Sequence, residues 1–534
     1  MDACMNSEAQ MLFQLVRLCI PAKLNHIIRG VPKRLCEPAM KYFDNAVLDL
    51  VLRILEIPWP DANDERNLFD VVQLTAFNGG LGIRSLVRAA DAAYVGSWAL
   101  SMQTVAKLCP RSVTGLRNNH TVEGTVNTRT LIYKLPGCLS HTADIPATIQ
   151  DLNTAITDLR QAQYFSDDYI KNELNFGEFI KKRQAGLQHT LMIKQGKRTL
   201  QALLNRLQGD QKARLLSASG KHGGAWVMCI PHHFSTRMDR QIFQFAVRHS
   251  LSLELWPVAP RTRRRLRCPR HNQEGIEVTD KHLLTCPLSA KSIRHTNVLQ
   301  ELRKIATECD AGPSEAINEI RPSTYWAIRT TTAPAPITTQ EEDQEDIEDG
   351  DRRPTESPTQ VKGDMAFTNL KVAIYQCPQI TDLTIVKEDS RSHTISQNLV
   401  GGGAREAEAR KLKWYNDRFN FPSSLMPVVP FVLETSGTFG IHACQLLTQL
   451  TSINHARPRP TQTTPAAAQD APVLFASKDK LTPKGRRVRY QFIERLSTTV
   501  QIANYRMYCQ SLDRHRTQAV GAPPSVSSLT LSMP

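Results

Sequence analysis

Apolar positions over the first 105 or so residues recur with the period of an amphipathic helix. Leu12, Leu15, Val16, Leu18, Cys19 and Ile20 open one stretch, Pro21 and Pro32 punctuate it, and FDNAVLDLVLRILEI from Phe43 repeats apolar residues at i, i+3, i+4 and i+7. These are expected to be core-forming helices. The cluster Asn78-Gly79-Gly80-Leu81-Gly82 breaks the period before a further helical pattern through Ala89, Ala93, Val95 and Trp98. It lacks a GK[ST] ending and a preceding buried strand, so it reads as a turn and not a phosphate loop. Helical spacing resumes in ITDLRQAQ and LQALLNRLQ, between 150 and 215.

The pattern changes in the second half. Between 310 and 360 Pro, Thr, Glu and Asp displace large apolar residues, which predicts a flexible linker. From Lys362 the order is a strand-like run, LKVAIYQC, a helix, EAEARKLKWYNDRF, and a second strand-like run, PVVPFVLETSG, together an α/β unit. Pro/Thr/Ala-rich sequence follows Arg457, then a basic helical segment, GRRVRYQFIERLSTTVQIANYRMY, and a loose tail from about Ala519. The expected fold class is multidomain α and α/β. A helical N-terminal half (1–105 and a connector, 106–235) precedes a Cys/His segment (236–300), an acidic linker (301–361), a small α/β domain (362–455) and a basic, partly disordered tail (456–534).

At 534 residues the chain has room for roughly three domains. No uninterrupted apolar run approaches the roughly 18 residues of a membrane span, and the N-terminus lacks a basic n-region followed by an apolar core. The 12 cysteines are scattered, which suits reduced thiols in an intracellular compartment. The net charge is +15, although eight carboxylates are packed between Glu341 and Asp351; without them it would be +23. Such an excess favours a polyanionic partner, nucleic acid before a membrane surface.

The most specific local chemistry is CPRHNQEGIEVTDKHLLTC, from Cys268 to Cys286. A C-x2-H pair and an H-x3-C pair offer two thiolates and two imidazoles, Cys268, His271, His282 and Cys286, enough to close a tetrahedron around Zn2+. His295 stands in reserve should His271 fail to turn inward. Arg261, Arg263, Arg264, Arg265 and Arg267 lie directly upstream, and Lys484, Arg486, Arg487 and Arg489 form a second basic cluster; both are candidate phosphate contacts. Trp256, Tyr490 and Phe492, beside these clusters, are open to base stacking or to a local core.

Taken in order, these segments resemble the C-terminal portion of a non-LTR retrotransposon polyprotein that carries a restriction-like endonuclease. PAKLNHIIRGVPKRLCEPAMKYFDNAVLDLVLRIL and FNGGLGIRSLVRAADAAYVGSWA look like that family's reverse-transcriptase thumb and post-thumb region. KQGKRTLQALL, ARLLSASGKHGGAWVMCIP and FQFAVRHSLSL are similar to its connector, and Arg294-His295 after the zinc knuckle also fits. The resemblance spans nearly the whole chain to about residue 450 and rests on the order of many moderate motifs.

The resemblance implies a nuclease of PD-(D/E)XK type, in which carboxylates hold Mg2+ or Mn2+ and a lysine orients the attacking water. Asp364 matches the first acidic position, Lys411 or Lys413 the displaced lysine, and Glu434 the acid of the later strand. The chain departs from the family at Val372, where a second aspartate is expected; Asp382 or Glu388 could stand in for it. Phe165-Ser166-Asp167-Asp168 matches a polymerase metal-binding string, but its polar, helical surroundings make it a helix cap or loop, and reverse-transcriptase activity is not expected. The expected function is therefore nucleic-acid binding, in a nuclear protein, by a polyprotein fragment with a degenerate endonuclease. An active metal-dependent endonuclease is the first alternative and a noncatalytic protein-interaction scaffold the second.

Overall fold

The structure, a computed structural model, describes residues 8–59, 62–108, 151–152, 154–159, 185–253, 255, 268, 280–286, 291–314, 364–371, 378–386, 400–419, 428–456 and 481–519. They form two compact units, Met1–Gln208 and Gly209–Pro534.

The first unit is helical: α1 (Ala9–Gly30), α2 (Lys33–Ile54), α3 (Ala62–Gln73), α4 (Leu86–Leu108) and α5 (Leu187–Arg206). Pro21 does not end α1, which runs through it, whereas Pro32 caps α2. Ile28, Met40, Leu86 and Ala93 close a core between α1, α2 and α4. Asp44 of α2 fixes the start of α4, accepting from the Ser85 hydroxyl at 2.6 Å and the Leu86 and Val87 amides at 2.9 and 3.2 Å. Three otherwise orphaned donors are thereby satisfied. The glycine cluster is a turn: Gly79 and Gly82 have φ of +80° and +74°, and a Cβ on Gly80 would lie 2.3 Å from the Leu74 carbonyl oxygen. Among the described residues α1 alone is long and apolar enough to cross a membrane, with mean hydropathy 1.2 over 18 residues; Phe13, Val16 and Ile28 are buried while Leu15 and Leu18 are exposed.

The second unit begins with α6 (Gly209–Ala218), α7 (Ala225–Met228), α8 (Arg240–Ser250), α9 (Asp280–Thr285) and α10 (Lys291–Glu308). A four-stranded sheet follows in the order β1 (Pro313–Ser314), β2 (Met365–Lys371), β3 (Pro378–Val386), β4 (Val428–Glu434). Its first three strands are antiparallel. β3 and β4 are parallel, joined through α11 (Gly402–Phe419), because a parallel pair needs a crossover and cannot be closed by a hairpin. α12 (Ile441–Ala456) and α13 (Pro483–Ala519) complete the unit.

One element was not read from the sequence. Of LKVAIYQC, Leu370 and Lys371 belong to β2, and residues 372–377 lie outside the described residues. The strand missed on sequence is β3, whose alternation sets Thr381 and Leu383 inward and leaves Asp382 and Thr384 half-exposed. The basic helical segment expected at GRRVRYQFIERLSTTVQIANYRMY is present within a 37-residue helix that joins the core. Thr482 Oγ1 accepts from the Gly485 amide at 3.1 Å at its start, and Pro483 sits where a missing N–H costs nothing. Ile493, Leu496 and Val500 are buried against the sheet side of the unit, each at about 1.5–3 kcal/mol of apolar burial.

Candidate metal centre and carboxylate cluster

The H-x3-C half of the Cys/His segment straddles the end of α9. The Cys286 amide donates to the His282 carbonyl at 2.7 Å, and the four-residue spacing places both side chains on one face. Asp280, at the start of α9, accepts from the Leu255 amide and from the Tyr508 hydroxyl, both at 2.8 Å, which ties α9 to α13. Cys268 is buried with Cys286 among Phe245, Leu283, Met507 and Leu512.

The fourth donor is His515 of α13. Cys268, His282, Cys286 and His515 each place a donor atom within 4.8 Å of the other three. The Cys268 and Cys286 sulfurs are 3.6 Å apart, far beyond a disulfide bond of about 2.0 Å and close to the ~3.8 Å edge of a tetrahedron with metal–sulfur bonds of about 2.3 Å. His515 is fully buried; its Nδ1 donates to the Ser511 carbonyl at 2.7 Å, and its Nε2 has no hydrogen-bond partner among the described residues. A buried acceptor nitrogen without a donor is costly unless something else satisfies it. With Nδ1–H held by a carbonyl, Nε2 is the lone-pair nitrogen, the tautomer a metal ligand requires. The donor set therefore fits a metal ion.

His271 lies outside the described residues, as do Arg261, Arg263, Arg264, Arg265, Arg267, Trp256, Val372, Glu388, the Phe165–Asp168 run and the acidic segment 341–351. His295, held in reserve as a ligand, points instead at Asp364.

Asp364 immediately precedes β2, and Asp382 lies in the adjacent β3. The Asp364 amide donates to the Thr381 carbonyl at 2.9 Å, and Asp364 Oδ2 accepts from the Leu383 amide at 2.7 Å and from His295 Nε2 at 3.1 Å. Asp382, between Thr381 and Leu383, accepts at its own Oδ2 from the Tyr415 hydroxyl at 2.6 Å and from the Lys411 ammonium. Lys411 and Tyr415 stand four apart on α11 and so share a face. Burial pushes Asp364 toward its neutral form, but the His295 hydrogen bond and charge, the Leu383 amide and Lys411 outweigh it and hold this carboxyl below its ordinary range. The Asp364 hydrogen bond raises His295 despite the opposing effect of burial. Among the described residues no hydrogen bond reaches Oδ1 of either aspartate. Each carboxylate is thus anchored through Oδ2 among the described residues, and carboxylate oxygens are the ligand type a hard divalent cation prefers.

Of the two candidate lysines, Lys411 joins this cluster and Lys413 is exposed. Glu434 is elsewhere. The parallel register pairs Asp382 with Pro430 and Val386 with Glu434, which separates the two acids by on the order of 13 Å along the strands. Fully buried, Glu434 accepts from the Ala404 amide at 2.6 Å and from the Ser217 hydroxyl, capping α11 where a negative charge is favoured. Glu434→Ala strips the acceptor from both donors. It is expected to cost about 2–4 kcal/mol in a thermal or urea melt while leaving activity per folded molecule within a few-fold. An unchanged melt with lost activity would return Glu434 to the chemistry.

Of the second basic cluster, Lys484, Arg486 and Arg487 are exposed on the first turns of α13, while Arg489 is half-buried and donates to Thr448 Oγ1 at 3.1 Å. Phe492 is 4% exposed and belongs to the core, so it is not a stacking platform. Tyr490 is half-buried, its hydroxyl 3.8 Å from the Met228 sulfur. No protein-family model matches the chain, and no curated protein matches it.

Proposed function

We propose that this chain binds nucleic acid and cleaves it with a divalent-metal-dependent endonuclease centre built from Asp364, Asp382 and Lys411. In this reading it corresponds to the C-terminal portion of a non-LTR retrotransposon polyprotein. The observation that carries the proposal is the position of Asp382. The expectation of a degenerate nuclease rested on Val372; a second carboxylate beside Asp364, bonded to a lysine, supports the active alternative. Asp364 and Asp382 would hold the cation, which when bound neutralises charge at a phosphodiester and activates water. Lys411 is near enough to orient that water or a phosphate oxygen. The Cys/His group is read as a structural zinc site: two thiolates and two imidazoles, all used, leave no open position for chemistry. Exposed Lys484, Arg486 and Arg487 supply phosphate contacts.

The test is nicking of supercoiled plasmid by the full chain with Mg2+ or Mn2+, alongside Asp364→Ala. Wild type is expected to nick and the variant to fall by about a thousandfold. Duplex binding that weakens about a hundredfold between 50 and 200 mM salt, without any nicking, would leave the noncatalytic nucleic-acid-binding reading standing. Binding that ignores salt, again without nicking, would favour a protein-interaction scaffold.

A further inference from the structure

His295 sits in the second turn of α10, a helix fixed on both flanks. Val298, Leu302 and Ile305 are fully buried in the unit's main core. On the side facing α13, Arg294 donates to Asn504 Oδ1 at 3.3 Å, and Glu301 accepts from Arg495 Nε at 2.7 Å. The imidazole is therefore delivered to Asp364 by a rigid element. Because an ionised carboxylate can only accept, His295 Nε2 is the donor in the 3.1 Å contact to Oδ2. The Leu383 amide donates to the same oxygen. Asp364 immediately precedes β2, and its amide donates to the Thr381 carbonyl at 2.9 Å.

From this we infer that His295 is a positioning residue for the carboxylate cluster: its bond to Asp364 Oδ2, with that of the Leu383 amide, sets the carboxylate's rotation so that Oδ1 faces the cation. The inference rests on the metal-dependent reading of Asp364 and Asp382. A small octahedral cation at about 2.1 Å tolerates little misorientation of its ligands, and a partner that fixes one is worth 10–100-fold in metal affinity or activity.

The experiment compares full-length wild type, His295→Ala, His295→Gln and Asp382→Asn. Mn2+ binding is followed by electron paramagnetic resonance and, separately, nicking is followed as Mn2+ is raised. Removing the donor is expected to raise the half-saturating Mn2+ concentration 10–100-fold in both readouts. Affinity for plasmid in Ca2+ should stay within threefold. His295→Gln, whose amide can still donate, should recover at least tenfold of the loss, which simple destabilisation of α10 would not produce. If His295→Ala binds Mn2+ as wild type does, or if glutamine rescues nothing although both variants melt at the wild-type temperature, the inference is wrong while the nuclease reading survives. If wild type neither nicks nor binds Mn2+ at a site that Asp382→Asn removes, the nuclease reading fails and takes the inference with it.

Discussion

Cys286→Ser is expected to strip a stoichiometric metal ion from the purified protein and to lower the melting temperature of the Gly209–Pro534 unit by on the order of 5–10 °C. Loss of an outer partner of a metal ligand costs up to about a hundredfold in affinity, roughly 2.7 kcal/mol, and loss of a thiolate ligand itself costs more. At about 2 °C of melting temperature per kcal/mol for a unit of this size, the shift is readily measured. The effect reaches far because His515 draws α13 into the site. The same helix places Ile493, Leu496 and Val500 in the main core and Arg495 on Glu301 and Glu308 of α10. His515→Ala is the discriminating companion: loss of metal parallel to Cys286→Ser assigns the fourth position to His515, whereas retention of metal returns it to His271. Elemental analysis showing no zinc in wild-type protein prepared without chelator would overturn both.

Part of this centre was legible in the sequence for a simple reason. Cys268, His282 and Cys286 lie within one short segment, and H-x3-C puts two ligands on one helical face whatever the rest of the fold does. His515 is 229 positions beyond Cys286, and no spacing rule connects them. The available signal was periodicity. Tyr508, Leu512 and His515 fall at i, i+4 and i+7, so His515 continues the buried face of α13 and not its charged one. The α/β unit shows the converse. PVVPFVLE and the α11 pattern were read correctly because a nearly continuous apolar run and a helical period are local signals. β3 was missed because Pro378, Thr381, Asp382 and Thr384 dilute its apolar content. Pairing with β2 and β4, a nonlocal interaction, decides that QITDLTIV is a strand. Glu434 was misplaced by the same blindness to register: on sequence it is an acid at a strand end, and only its pairing with Val386 shows it beneath the α11 N-terminus.

Asp382→Asn is expected to lower plasmid nicking by about a thousandfold or more, close to 4 kcal/mol of transition-state stabilisation, while leaving the melting temperature within a few degrees. Two features separate this position from a merely structural aspartate. Its Oδ2 already takes both Tyr415 and Lys411, contacts an amide oxygen can keep in shape, so the variant preserves the packing of α11 on β3. What the variant removes is the negative charge behind Oδ1. A hard cation held by two carboxylates loses half of its anionic ligands at that step, and the Lys411 charge, no longer balanced, then repels it. Raising Mn2+ should therefore recover part of the lost rate, since the deficit lies in cation binding before it lies in chemistry. Nicking by Asp382→Asn at the wild-type rate would show that the second carboxylate comes from elsewhere. It would also return the Asp382–Lys411 pair to the role of an ordinary half-buried ion pair between a strand and its covering helix.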